Sequence, residues 1–277
     1  MSRKVFVYSG TGNSYATARQ IAAAIDAQVV HITDELAEAR DTYELEIGVI
    51  IYPVYGYGMP KTVKRFIRQS RFVVDYLAVL ATFGSKHGGA LAEGVRLLKR
   101  RGTKPHYTGG AKAVENYVHM FKLPPEERIE QICIAQAEHT NRIIADIAFR
   151  RTNKRFTFRP ESSFVSWIFR TFAATFARRY KFTDDCTGCG ICVRVCPANA
   201  IHMQDGKPKV VPKACDHCQA CLQLCPKKAI RFGKIQPDGR RYCHVGVKLP
   251  ELFKRDLQND KDNQKDDCGH PNDDPRD

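Results

Sequence analysis

The 277-residue sequence has no apolar run long enough to cross a bilayer. The longest, Phe72 to Phe83, is short and is broken by Asp75. MSRKVFVYSG opens directly on a strand pattern without an apolar secretory core, so a cytoplasmic location is expected. There is no motif for reading nucleic acid, no nicotinamide-binding domain, and no acid–base pair or nucleophile triad. Acidic residues are scarce beside basic ones, 30 against 44, giving a formal charge of +14. Such an excess suits steering of an acidic partner, or is a solvated basic surface with no partner. The apolar share of 43% is that of a soluble globular protein, and the length leaves room for two domains with their own cores.

What the chain has is cysteine, eleven in all, and eight of them fall in two runs, CTGCGICVRVCP from Cys186 and CDHCQACLQLCP from Cys215. Each run reads Cys-x2-Cys-x2-Cys-x3-Cys-Pro, and the stretches Cys186 to Ile201 and Cys215 to Ile230 repeat at an offset of 29, with seven of sixteen positions identical. Three cysteines at this spacing let one tight loop present sulfur to three corners of an iron–sulfur cubane. The fourth, followed by proline at the start of a short helix, turns to the other cluster, as in bacterial two-cluster ferredoxins. The expected ligands are therefore Cys186, Cys189, Cys192 and Cys225 for cluster 1. Those for cluster 2 are Cys215, Cys218, Cys221 and Cys196. Structural zinc does not call for this spacing, which is more usually two separated cysteine pairs. Ile191, Val193, Val195, Leu222 and Leu224 are placed to keep water off the sulfurs. With each oxidised cluster carrying about −2, the net charge falls to roughly +10.

In the first half, Lys4 to Tyr8 reads as a strand, Ser9-Gly10-Thr11-Gly12-Asn13-Ser14 as a loop, and the pattern from Tyr15 to Ile25 as a helix. Free amides of the first turn and the hydroxyls of Ser9, Thr11 and Ser14 would converge on a phosphate. The Lys-Ser/Thr ending of a triphosphate loop is missing, and Tyr15 stands where a dinucleotide loop needs glycine. Further strands are expected at Gln28–Ile32, Glu46–Tyr52, Tyr76–Thr82 and Ala111–Val114, and helices at Lys61–Gln69, Ala90–Arg101 and Pro124–Arg150. This alternation predicts an α/β fold with a doubly wound parallel sheet that binds ligands at the carboxyl ends of its strands. Two more glycine-rich loops fall there, Pro53-Val54-Tyr55-Gly56-Tyr57-Gly58 and Thr82-Phe83-Gly84-Ser85-Lys86-His87-Gly88-Gly89.

SGTGNS at the end of the first strand resembles the phosphate loop of flavodoxins, whose cofactor is flavin mononucleotide (FMN). The resemblance implies a five-stranded sheet in the order 2-1-3-4-5. It also implies that the second and third loops flank the flavin ring, with Tyr55 or Tyr57 stacking on it. The second ring loop departs from the family: only Phe83 and His87 stand where an aromatic would cover the outer face.

The chain is read as a flavodoxin-like domain (1–150), a connector (151–181), a two-cluster ferredoxin-like domain (182–255) and a disordered acidic tail (256–277). The connector is basic, and its predicted helix carries Phe164, Ile168, Phe172 and Phe176 at i+4 spacing beside Trp167 and Phe169. Such a stripe docks domains together or lies on a membrane surface or a partner. Ile201–Val211 is expected to form a hairpin, and Ile230–Cys243 a second strand pair around Pro237-Asp238-Gly239. Cys133 and Cys243 are expected to be ordinary thiols, and Cys268 a free one in the tail.

As a whole the sequence resembles fused flavodoxin–ferredoxin proteins. That implies electron transfer between FMN, two [4Fe–4S] clusters and a redox partner protein. The alternatives are a stand-alone flavin-dependent reductase of a quinone or nitro compound, and a ferredoxin docked by a flavodoxin fold that holds no flavin.

Overall fold

Residues 1–150 alternate strand and helix because their apolar residues alternate period with them. The computed structural model describes residues 2–153, 160–233 and 239–254. In chain order the elements are β1 (Ser2–Val7), α1 (Asn13–Ala24), β2 (Gln28–His31), α2 (Ile32–Ala37), β3 (Thr42–Pro53), α3 (Lys61–Gln69), β4 (Arg71–Phe83), α4 (Ala90–Arg100), β5 (Tyr107–Lys112) and α5 (Glu126–Ala148). The five strands are parallel and lie in the order β2-β1-β3-β4-β5, the flavodoxin-like doubly wound arrangement.

Alternation along β1 shows how the two faces are filled. Phe6 and Tyr8 point to one side, into a core shared with Val63, Phe66 and Ile67 of α3 and Leu91 and Leu98 of α4. Val5 and Val7 point to the other, against Ala18 and Ile21 of α1 and Ile143 and Ile147 of α5. Phe6 meets Tyr43 and Phe72 edge-on at 4.9 and 5.7 Å, and Phe66 closes the group at 5.3 Å. Such pairs add about 1 kcal/mol each beyond the area they bury.

The fifth strand lies at Tyr107–Lys112, not at Ala111–Val114 as the sequence suggests. Gly109 and Gly110 hide it, since glycine has little strand propensity. Pairing with β4 forms it nonetheless, in the register Ala78↔Tyr107 to Phe83↔Lys112. β3 and β4 also begin earlier than expected, at Thr42 and Arg71, where charged residues mask the start of the pattern.

Next come α6 (Pro160–Ala177), β6 (Tyr180–Phe182), α7 (Ile191–Arg194), β7 (Ile201–Gln204), β8 (Lys207–Val210), α8 (Ala220–Gln223), β9 (Ile230–Phe232) and a 3-10 turn at Leu249–Leu252. The hairpin expected at Ile201–Val211 is present as β7–β8, turning through Asp205 and Gly206, both at positive φ. Of the strand pair expected within Ile230–Cys243, the described residues show only Ile230–Phe232 as a strand, and it pairs antiparallel with Tyr180–Phe182 from before the cysteine runs. Short strands with distant partners leave no local signal. Pro237 and Asp238 of the expected turn, the side chain of Phe164, and residues 256–277 with Cys268 lie outside the described residues.

The connector helix docks as an amphipathic helix should. Ala173 and Ala177 are buried, and Phe169 and Phe176 lie 6.2 and 6.0 Å from the His217 ring, while Trp167 and Phe172 stay exposed. Among the described residues no helix is long and apolar enough to cross a membrane.

Candidate functional site

Two cages are built from the cysteine runs. One is ringed by Cys186, Cys189, Cys192 and Cys225 together with Phe182, Ile191 and Ile230. The other is ringed by Cys196, Cys215, Cys218 and Cys221 with Tyr180, Ile201 and Gln219. These are the two sets read from the spacing, each with its fourth cysteine from the other run. Of the five expected apolar shields only Ile191 lines a cage. Val195, Leu222 and Leu224 are buried behind the loops, and Val193 is half-buried.

The donor set fits clusters and not single ions. Four cysteines at the spacing of each set match a cubane's four corners, and among the described residues no group of three or more His, Cys, Asp or Glu is placed to hold a single metal ion. Burial, and after it the neighbouring thiols, push Cys192 up to about 12. Burial pushes Cys215 up to about 12 as well, with Cys196 and Asp216 adding to it. Four thiolates share such a cage only when cationic iron offsets both costs. Backbone N–H groups already point at sulfur: Ala200 donates to Cys196 Sγ at 3.2 Å and His217 to Cys215 Sγ at 3.4 Å. Cys133 is buried, Cys243 is half-buried, and neither lines a cage.

The second cage is held against the carboxyl end of the sheet by Asp216. Its carboxylate accepts from Tyr8 Oη at 2.9 Å, Lys61 N at 2.9 Å and Thr62 N at 3.1 Å, so it caps α3. Burial, and then the Asp216 charge, push the Tyr8 phenol well up, which keeps it a donor. Thr33 Oγ1 donates to Pro197 O at 2.6 Å, and Lys61 Nζ to Lys213 O at 2.9 Å. Beside this seam lies an aromatic box of Tyr117, His119, Phe169, Tyr180, His217 and Phe232, with His119 stacked on Phe232 at 3.8 Å.

The loop Ser9–Ser14 sits under the same seam. It is buried except for a half-buried Asn13, and Gly12 holds a left-handed φ of 97° to start α1. A Cβ on Gly10 would stand 3.1 Å from Cys218 Cβ and from Tyr55 Oη, and one on Gly12 would stand 2.8 Å from His244 Cβ. The N–H groups of Gly10, Thr11, Asn13 and Ser14 have no acceptor among the described residues. They suit a phosphate. The hydroxyls, however, are taken by protein. Ser9 Oγ accepts from Gly12 N and Tyr15 N, Ser14 Oγ pairs with Thr82 Oγ1 at 2.7 Å, and Asn116 donates to Thr11 Oγ1. Tyr242 Oη donates to Asn13 Oδ1 at 2.5 Å, and His244 N to Thr11 O at 2.9 Å.

The two ring loops lie together. Gly89 N donates to Tyr57 O at 3.1 Å, Val54 N to Thr82 O at 2.9 Å, and Pro53 ends β3. Tyr55 turns inward toward Gly10 and Cys218, whereas Tyr57 is exposed with its Cβ close against Gly88. Phe83 packs on His87 at 5.5 Å, and Gly84 lies against Glu115. Sequence reasoning missed Asn116, Tyr117, Asp216, His217, Gln219, Tyr242 and His244. The signal for three of them was present: Asp216, His217 and Gln219 are departures from Thr187, Gly188 and Gly190 in the first run.

His244 gives this seam a pH dependence. Burial, and then Arg19, push its imidazole down to about 4, and Nδ1 accepts from Gly246 N at 3.1 Å, so the neutral ring is the folded form. An unfolded histidine titrates near 6.5. The stability it contributes is therefore full above that pH and lost as pH falls toward 4, about 2 kcal/mol of it by pH 5. Urea midpoints measured at pH 7.5 and 5 should differ accordingly, and His244→Gln should narrow the difference.

A flavodoxin-like sheet whose carboxyl end carries the second of two four-cysteine cages defines an iron–sulfur protein of the electron-transfer class. Residues 185–229 match the family model of the 4Fe-4S dicluster domain. A search of curated proteins returns no match. Among solved structures the chain is similar to a flavodoxin from the domain Archaea, at 17% identity over 52% of this chain and 99% of that one, with a TM-score of 0.29. It is also similar to two-electron reduced Megasphaera elsdenii flavodoxin (17%, 49% of this chain and 98% of that one, 0.28). A third likeness is to rubredoxin oxygen:oxidoreductase from the anaerobe Desulfovibrio gigas (13%, 52% and 36%, 0.31). The strand order, not these likenesses, carries the fold. The chain thus joins a flavodoxin-like domain to a 4Fe–4S dicluster domain.

Proposed function

We propose that this protein is a cytoplasmic electron carrier holding two [4Fe–4S] clusters and FMN, and passing electrons to or from a redox partner protein. The observation that carries the cluster half is the pair of cages, each closed by four cysteines drawn from both runs. For FMN the support is the buried loop at the end of β1, whose four N–H groups lack acceptors. When bound, the clusters carry single electrons, and FMN joins single-electron to paired transfer.

The chain's own residues do the positioning. Asp216 fixes the second cage over the sheet, and Cys218 abuts Gly10 and Tyr55, so the loop and the cage share a wall. Tyr180, Ile201 and the aromatic box exclude water from that cage. The first cage is the open one: Cys189 is exposed, as are Lys207, Lys227 and Lys228 nearby, and a partner would dock there. One observation favours a second reading, a flavodoxin fold kept as a docking domain without flavin. The hydroxyls of Thr11 and Ser14 are already partnered, and Gly10 and Gly12 are covered.

Iron, sulfide and flavin assays on anaerobically purified and reconstituted protein test both. About eight irons and one FMN per chain are expected. Four irons, or bound zinc, would sink the two-cluster reading, and eight irons without flavin would select the docking reading.

A further inference from the structure

The two cysteine loops are copies of one another, yet they differ where they need not. In the first loop Gly188 and Gly190 hold φ of 70° and 75°. The matching positions in the second are His217 and Gln219, at 62° and 61°. Glycine takes this left-handed conformation freely, and a residue with a Cβ is strained in it. Gln219 bears a second cost. It is 2% exposed, and neither atom of its side-chain amide has a hydrogen-bond partner among the described residues. A buried amide left unpaired is destabilising, and a glycine would avoid both penalties, as Gly190 does.

Position fixes what offsets these costs. Gln219 lines the second cage, in the company of Cys196, Cys215, Cys218 and Cys221. Its counterpart Gly190 lines the first, where an added Cβ would meet no protein atom within 4 Å. The shared position lines the cage in both loops, but only the second carries a side-chain donor there. The nitrogen and oxygen ends of an amide interchange by rotation, so the N–H end is free to face sulfur.

We propose that the Gln219 side-chain amide donates a hydrogen bond to the sulfur of cluster 2 and so raises its reduction potential, while Gly190, at the matching position of the first loop, offers cluster 1 no side-chain donor. A donor stabilises the reduced, more negative state of a cluster more than the oxidised state. The two clusters, alike in ligands, are thereby made unequal. The electron is held toward the buried cluster beside Gly10 rather than toward the one at the exposed Cys189.

The inference rests on the two-cluster reading, and an iron count separates failure of that reading from failure of this one. Holoprotein carrying Gln219→Gly is titrated anaerobically by EPR-monitored potentiometry. Iron should stay at about eight per chain, one midpoint potential should move negative and the other should stay put. Because glycine relieves the left-handed strain, thermal stability should hold or rise. Gly190→Gln is the converse variant, expected to move the other midpoint positive, and it decides the matter if Gln219→Gly loses iron. Unchanged midpoints in iron-replete variants would make Gln219 a loop residue only, and equal shifts of both would mean general loosening. Either result overturns the proposal.

Discussion

Cys225→Ala should remove the cluster of the other run, not of its own. The chain enters each cage with a loop of three cysteines and leaves through a fourth that follows a short helical turn, α7 or α8, whereas the helix expected to start at Pro197 and Pro226 is only a turn. α7 and α8 carry Cys196 and Cys225 across to the opposite cage. Iron in Cys225→Ala should therefore fall from about eight to about four per chain, as it should in Cys186→Ala. Combination tells which cage was lost. Cys186→Ala with Cys225→Ala should cost no more iron than either alone, since both act on one cluster. Cys215→Ala with Cys225→Ala should leave none. If Cys225 and Cys215 instead behaved as one unit, each run would hold its own cluster, and the crossed cages would be wrong.

Asp216→Ala should be the most damaging change outside the cysteines. Three donors converge on that carboxylate, and two of them are the first N–H groups of α3, which have no carbonyl of their own helix to reach. Alanine leaves Tyr8 Oη, Lys61 N and Thr62 N buried or half-buried and unpaired. The expected loss is about 3–5 kcal/mol, a large share of the stability of an ordinary domain. Denaturant unfolding followed by cluster absorbance would read it, and Asp216→Asn, which keeps one acceptor oxygen, should lose less. A midpoint within about 0.5 kcal/mol of wild type, the size of an ordinary surface change, would mean that the second cage is seated by something else.

The cysteine sets were legible because ligand spacing is a local property. Three sulfurs two residues apart fix one loop, and a displaced fourth before proline fixes the crossing. The sheet was legible for a related reason, since Phe6, Val30, Ile50 and Leu77 sit in short β-rich runs between helical periods. β5 was not, because Tyr107-Thr-Gly-Gly-Ala is a strand only when β4 lies beside it. The seam between the halves was hidden for the same cause at longer range. Tyr8 and Asp216 are 208 residues apart, and Asn13 and Tyr242 are 229 apart. Nothing in either neighbourhood announces the other. Comparing the two cysteine runs with each other would have pointed there, because His217 and Gln219 replace glycines that the loop geometry alone would keep, and Asp216 stands next to them.

Tyr242 and His244 also set an order of manufacture. A ribosome releases the loop at Ser9–Ser14 more than two hundred residues before it releases the segment that roofs it. During that interval the nascent sheet can form with its upper edge bare. Once the last turn is added, the roof, the second cage and the loop are stitched into one wall. Entry or exchange of anything small at Gly10 and Gly12 then requires the two halves to part.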